Sequence, residues 1–113
     1  MISPYSYPGL PLSRNNDFRM EDVVALVCRY YRIAPAALLK PDRRQEIVLA
    51  RQVCWHLIKR LKRTATVLQM GKLFGKDHTT VVHGLQAINN RMERYDDLRA
   101  EVEALAARIK MRA

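Results

Sequence analysis

Hydrophobic positions recur along the chain at steps of three and four, the period of helices that bury one side. Between residues 20 and 33 they are Val23, Val24, Leu26, Val27, Tyr30 and Tyr31. Asp17, or Glu21 and Asp22, suit the positive N-terminal end of that helix. Pro35 can open a short second helix over 36–39, and Pro41 ends it, because the residue before a proline avoids the helical region. The longest regular helix is predicted over 43–63, with Ile47, Ala50, Cys54, Leu57, Ile58 and Leu61 on one face. A short helix over 66–74 buries Val67, Met70, Leu73 and Phe74 and breaks at Gly75. Asp77 then caps the next helix through its side-chain oxygen, leaving His78, Thr79 and Thr80 in the first turn. That helix carries the seam Val81, Leu85, Ile88, Met92 and Tyr95. The final segment, 96–111, repeats the pattern with Leu98, Val102, Leu105 and Ile109. That seam, from Leu98 to Ile109, spans under two heptads, so the segment is read as one more helix packed on the domain and not as a dimer seam.

No strand pattern and no internal repeat appears. The expected fold is all-α: a small helical domain of five to six helices around a helix-turn-helix. Two short helices joined by a tight Gly-containing turn, at 66–74 and from 78 onward, are the helix-turn-helix candidate. Residues 1–19 break the helical pattern. Pro4, Pro8 and Pro11 lie there among Ser, Tyr and Gly, which reads as a flexible N-terminal arm ahead of a domain at 20–113.

A chain of 113 residues has room for one domain and a tail, which excludes a large multidomain enzyme. Its charge changes the picture more than its size does. Twenty Lys and Arg against eleven Asp and Glu leave a net charge of +9. Two thirds of that excess, +6, lies in residues 40–63. A surface kept basic only for solubility would spread its charge more evenly, so an acidic polymer is the expected partner. Arg44, Arg51, Lys59 and Lys62 recur at steps of seven, eight and three, which returns them to nearly one angle on a helix. They lack acidic partners at i±4, and the stripe is read as a phosphate-contacting face. On the later helix Thr79, His83, Gln86 and Asn90 lie opposite the apolar seam. These uncharged hydrogen-bonding groups of moderate length suit base edges.

Other chemistries fit poorly. Cys28 and Cys54 sit in apolar helical patterns, outside any CxxC pair, and read as small buried hydrophobes of a reducing cytoplasm. No run of about 18 apolar residues offers a membrane span, and no signal-peptide pattern opens the chain. The run from Gly71 to Asp77 fails as a phosphate-binding loop: three residues separate its glycines, and Asp77 stands where Ser or Thr would hold magnesium. His56, His78 and His83 do not form a zinc set, and no nucleophile–base–orienter group can be assembled. An enzyme, a cofactor and a bound nucleotide are not expected.

The stretch Phe74-Gly75-Lys76-Asp77-His78-Thr79-Thr80-Val81-Val82-His83 is the specific signal. It closely resembles the signature FGGRDHTTVLHA of the C-terminal DNA-binding domain of the bacterial replication initiator DnaA. Upstream, Arg51-Gln52-Val53-Cys54-Trp55-His56-Leu57 resembles that family's PRQIAMYL segment, and Arg43-Arg44 resembles its basic loop. Order and approximate spacing agree across residues 20–95. The resemblance implies that Arg43, with Arg44 as neighbour, enters the DNA minor groove. It implies phosphate contacts from Arg51 and Lys59, which the basic stripe extends to Lys62 and Lys76. Asp77, His78, Thr79 and Thr80 would contact bases in the major groove. Three departures stand out: one glycine is missing before Lys76, where Arg is usual; one residue is added within 62–66; and Ala50 replaces a proline. The ATPase domain of the initiator is absent from the sequence, so the chain resembles the reader without the motor.

The resulting expectation is a regulatory, sequence-specific binder of double-stranded DNA at a short A/T-rich box, acting as a monomer in the nucleoid-containing cytoplasm. Two rivals are a dimeric helix-turn-helix repressor of a different site and a basic module that binds an acidic protein.

Overall fold

The protein's structure, a computed structural model, describes residues 19–112. Six helices follow one another: α1 (Met20–Tyr31), α2 (Pro35–Leu39), α3 (Gln45–Leu61), α4 (Val67–Phe74), α5 (His78–Arg94) and α6 (Asp96–Arg112). No strand occurs among the described residues. The expected arm and Asp17 lie outside the described residues, apart from Arg19.

Each helix begins and ends where its sequence provides a device. At the start of α1 the Asp22 carboxylate accepts from the backbone N–H of Arg19 at 2.9 Å. Its C-terminus closes with Arg32 in the left-handed region at φ 60°, and the Ile33 N–H reaches back to the Cys28 carbonyl at 2.9 Å. Pro35 occupies the first turn of α2, where its missing N–H costs nothing. Thr66 caps α4 reciprocally: its hydroxyl accepts from the Gln69 N–H at 3.1 Å, while the Gln69 side chain accepts from the Thr66 N–H at 2.9 Å.

The organising element is α3, which packs against α1, α2, α5 and α6. It buries Ile47, Ala50, Val53, Cys54, Trp55, Leu57 and Ile58, more of its circumference than one amphipathic face. Val23, Val27, Leu38, Met70, Phe74, Val81 and Ile88 complete the core from the other helices. The Trp55 and Phe74 rings meet edge to face, with centroids 5.5 Å apart. Cys28 and Cys54 are free and buried, as their apolar context implied. α6 packs on α1, α3 and α5 through Val102, Leu105, Ala106 and Ile109. It is further tied by a two-toothed ion pair from Arg60 to Glu103, at 2.7 and 2.9 Å.

The structure corrects one expectation about α5 and adds a residue to its buried face. Tyr95 does not extend its seam: it terminates the helix and is 56% exposed. Gly84 joins the buried face instead, because α5 passes so close to α3 that a side chain there would meet the Trp55 ring.

Candidate nucleic-acid interface

The turn between α4 and α5 fixes how the second helix is presented. Gly75 adopts φ +65°, a region that L side chains rarely enter. Its N–H points to the Lys72 carbonyl at 3.4 Å, and the Lys76 N–H donates to the Gly71 carbonyl at 2.8 Å. This is a Schellman closure, which satisfies the last carbonyls of α4. One glycine supplies the left-handed residue, so the turn closes without the second glycine of the family signature. Gly71 is tightly placed too, since a Cβ there would lie 2.5 Å from the Lys76 carbonyl oxygen.

The first turn of α5 follows directly. Asp77, His78, Thr79 and Thr80 are all exposed. The sequence placed Asp77 as a side-chain cap; the structure corrects this. Asp77 occupies the N-cap position with extended backbone, but its carboxylate makes no capping bond. Acceptors and donors of this turn therefore face solvent at the positive end of a 17-residue helix. Further along, His83, Gln86 and Asn90 are exposed on the side opposite the buried Val81, Gly84 and Ile88. The polar face read from the sequence is a real surface.

The basic loop is organised differently from the expected stripe. Arg51 is only 5% exposed. Its Nε donates to the Leu38 carbonyl at 3.1 Å, Nη2 to Lys40 at 2.9 Å and Nη1 to Asp42 at 3.3 Å. Arg51 therefore does not stand on the exposed stripe expected of it, because three of its five N–H donors are engaged inside the fold. Burial also lowers its pKa from the usual value, while the nearby Asp42 carboxylate opposes that. Arg44 is likewise engaged. Its Nη2 and Nε hold both Asp42 oxygens, the shorter contact being 2.8 Å. The hydrogen bonds from Arg44 hold the Asp42 carboxyl down at about 2. Arg43 is exposed and makes no hydrogen bond or ion pair with any described residue.

The remaining basic candidates lie near the far end of α3 and in the turn. Lys59 is exposed, and its Nζ donates to the Ala65 carbonyl at 3.2 Å, bracing the α3–α4 connection. Lys62 is the C-cap of α3 and half-buried. Lys76 is half-buried between α4 and α5. Arg44 and Lys62 flank α3 at its two ends, about 27 Å apart along the axis at 1.5 Å per residue. The structure therefore gathers Asp77, His78, Thr79 and Thr80 on one turn, and divides the basic groups between the two ends of α3.

These elements are those of a helix-turn-helix, and comparison with known proteins gives the family. The family described as bacterial DnaA protein helix-turn-helix matches residues 20–88. The chain belongs to this family. The chromosomal replication initiator protein DnaA of Thermomicrobium roseum is 38% identical over 89 residues, covering 79% of this chain and 19% of the relative. That of Caldanaerobacter subterraneus subsp. tengcongensis is 34% identical over 109 residues, 96% of this chain and 24% of the relative. The chain thus spans about a fifth to a quarter of the length of these DnaA proteins. A crystal structure of a DNA replication initiation factor shares the fold, with a TM-score of 0.70 at 23% identity, over 79% of this chain and 27% of that one.

The role of Asp42 and the burial of Arg51 escaped the sequence reading of the DnaA-like basic loop. A signal for the second existed. Arg51 is four residues after Ile47, three before Cys54 and seven before Ile58, which puts it inside the apolar face. No such signal marked Asp42, whose pairing with Arg44 depends on the backbone of a loop.

Proposed function

We propose that this chain is a sequence-specific reader of double-stranded DNA that binds a short A/T-rich box as a monomer, with a regulatory role in replication initiation or transcription. Binding and not catalysis carries its activity. The observation that carries this reading is the first turn of α5, where Asp77, His78, Thr79 and Thr80 are exposed beyond a closed helix-turn-helix turn. An inserted helix meets base edges closest at its N-terminal turn. Asp77 can accept from an exocyclic amine of cytosine or adenine, and Thr79 or Thr80 can offer a methyl to thymine. Arg43 suits a narrow A/T minor groove, where the negative potential is deepest. Lys59, Lys62 and Lys76 supply phosphate contacts that fix register without reading sequence.

Membership of the DnaA helix-turn-helix family supports this reading, as does the concentration of charge around α3. Laid along a duplex, the ~27 Å between the ends of α3 corresponds to roughly eight base pairs at 3.4 Å each. DNA binding also accounts for the charge better than an acidic protein partner does, because the polar face of α5 would have no task in the latter. Its place of action would be the nucleoid within the cytoplasm.

Fluorescence anisotropy with labelled duplex DNA tests the reading. About four neutralised phosphates give a slope near −4 when log K is plotted against log salt. A flat response to salt would leave the charge around α3 without this role.

A further inference from the structure

We propose that Arg51 is a positioning residue which, together with Asp42, holds the 40–44 loop so that Arg43 projects alone as its free guanidinium. The proposal deepens the DNA-reading function and rests on it for the last step, the insertion of Arg43 into a groove.

Three features of the loop converge. First, Arg51 reaches out of the middle of α3 and donates to the carbonyl of Leu38 in the last turn of α2 and to those of Lys40 and Asp42 in the segment that joins α2 to α3. A planar guanidinium presents donors in a fixed fork, so it sets the relative positions of these carbonyls, which a point-charge ammonium cannot do. Second, Asp42 is held from both sides. Its backbone carbonyl accepts from Arg51, and its carboxylate accepts from the backbone N–H of Arg44 at 3.0 Å and from the Arg44 side chain. Third, the two adjacent arginines are unlike. Arg44 is folded back onto Asp42, while Arg43 makes no bond with any described residue. A flexible loop with two free arginines would present an ensemble of charges. This loop presents one, from a backbone tied down at the carbonyls of Lys40 and Asp42 and anchored to the end of α2 at Leu38. The buried, charged Arg51 has no carboxylate in direct contact among the described residues. The loop carbonyls solvate it instead, so the fixation is reciprocal.

The test combines two arms. In the first, trypsin cuts the folded protein in the absence of DNA, and mass spectrometry follows cleavage after Arg43 and Arg44. Arg51→Lys keeps the charge but loses the fork, and cleavage should rise about tenfold as the loop opens more often. Unchanged cleavage would overturn the loop-holding role, whatever the protein binds. In the second arm, duplex affinity is measured for the parent, Arg43→Ala, Arg51→Lys and the double variant, well below their melting temperatures. If Arg51 acts by placing Arg43, Arg51→Lys weakens binding about tenfold in the parent and less than about twofold once Arg43 is gone. A direct phosphate contact by Arg51, or a general loss of structure, would give multiplying effects and overturn the proposal. Asp42→Asn, at a half-buried site outside the core, provides an independent check. It frees Arg44 and should lower the ratio of preferred to scrambled duplex affinity about threefold. An unchanged ratio would remove Asp42 from the device. A parent that bound no duplex would overturn the DNA reading and the purpose assigned to Arg43, while the trypsin arm would still judge the loop.

Discussion

Gly84→Ala should destabilise this protein although it replaces glycine inside a helix, and a second substitution should repair the damage. A Cβ at position 84 would lie 2.4 Å from Cζ3 and 2.6 Å from Cε3 of Trp55. Carbon atoms rest at about 3.5–4.0 Å, so the shortfall exceeds about 1 Å. The indole cannot retreat. It is 2% exposed and abuts the Phe74 ring edge to face. Overpacking of this kind costs about 3 kcal/mol at the upper end of its range. The gain from replacing a helical glycine with alanine returns about 1 kcal/mol. The net loss of about 2 kcal/mol corresponds to a fall of roughly 10 °C in Tm for a domain of this size. Trp55→Met creates the room the methyl needs, and the family segments PRQIAMYL and FGGRDHTTVLHA carry Met and Ala at these two positions. In the Trp55→Met background, Gly84→Ala should therefore become neutral or stabilising. The assay is urea and thermal denaturation of the four proteins of the cycle, with the coupling read at one temperature. A Gly84→Ala protein as stable as its parent, or equal effects in both backgrounds, would refute the claim that α5 is docked on α3 by this contact.

Three further outcomes follow from other sites. Arg32→Gly should raise stability by about 0.5–1 kcal/mol in urea denaturation, because Arg32 sits at φ 60° where a Cβ is penalised. His56 should make stability fall with acidity. Burial and then Arg60 lower its pKa, so the unfolded chain takes up the proton first, and stability present above about pH 6.5 is lost as pH falls below it. His56→Gln should flatten that part of the profile, and a parallel pair of curves would sink the assignment. Asp77→Ala should leave the unfolding free energy in urea unchanged within about 0.5 kcal/mol, since no cap bond is lost, whereas loss of a functioning cap would cost about 1 kcal/mol.

The periodicity of apolar residues, with Pro35 and Pro41 marking the short α2, was enough to place all six helices to within a few residues. Val81, Ile88, Val102 and Leu105 are buried as their spacing requires. Burial against several neighbours left a weaker trace. α3 is the hub of the fold, so Val53 and Trp55 are buried outside its main apolar face, and spacing along one helix does not encode what surrounds it. The polar run Asp77–Thr80 stands exposed where the turn chemistry of Gly75 implied. The basic groups were less legible. Lysines and arginines look alike in a charge count, yet Arg51 serves the interior, Arg44 answers Asp42, and Arg60 answers Glu103 on a helix 43 residues away. Their partners are backbone carbonyls or distant carboxylates, which only the folded chain brings within reach.

Selection from random duplex DNA would show whether the first turn of α5 reads base edges. The parent should enrich a single short motif. Thr79→Ala removes a methyl and a hydroxyl without touching the buried Val81, Gly84 and Ile88. It should cost about 1–3 kcal/mol on the preferred duplex, leave scrambled duplex nearly unaffected, and relax the motif at one position. Base reading by α5 is contradicted if the parent enriches no motif, or if Thr79→Ala and Asp77→Asn return the parent's motif at the parent's affinity.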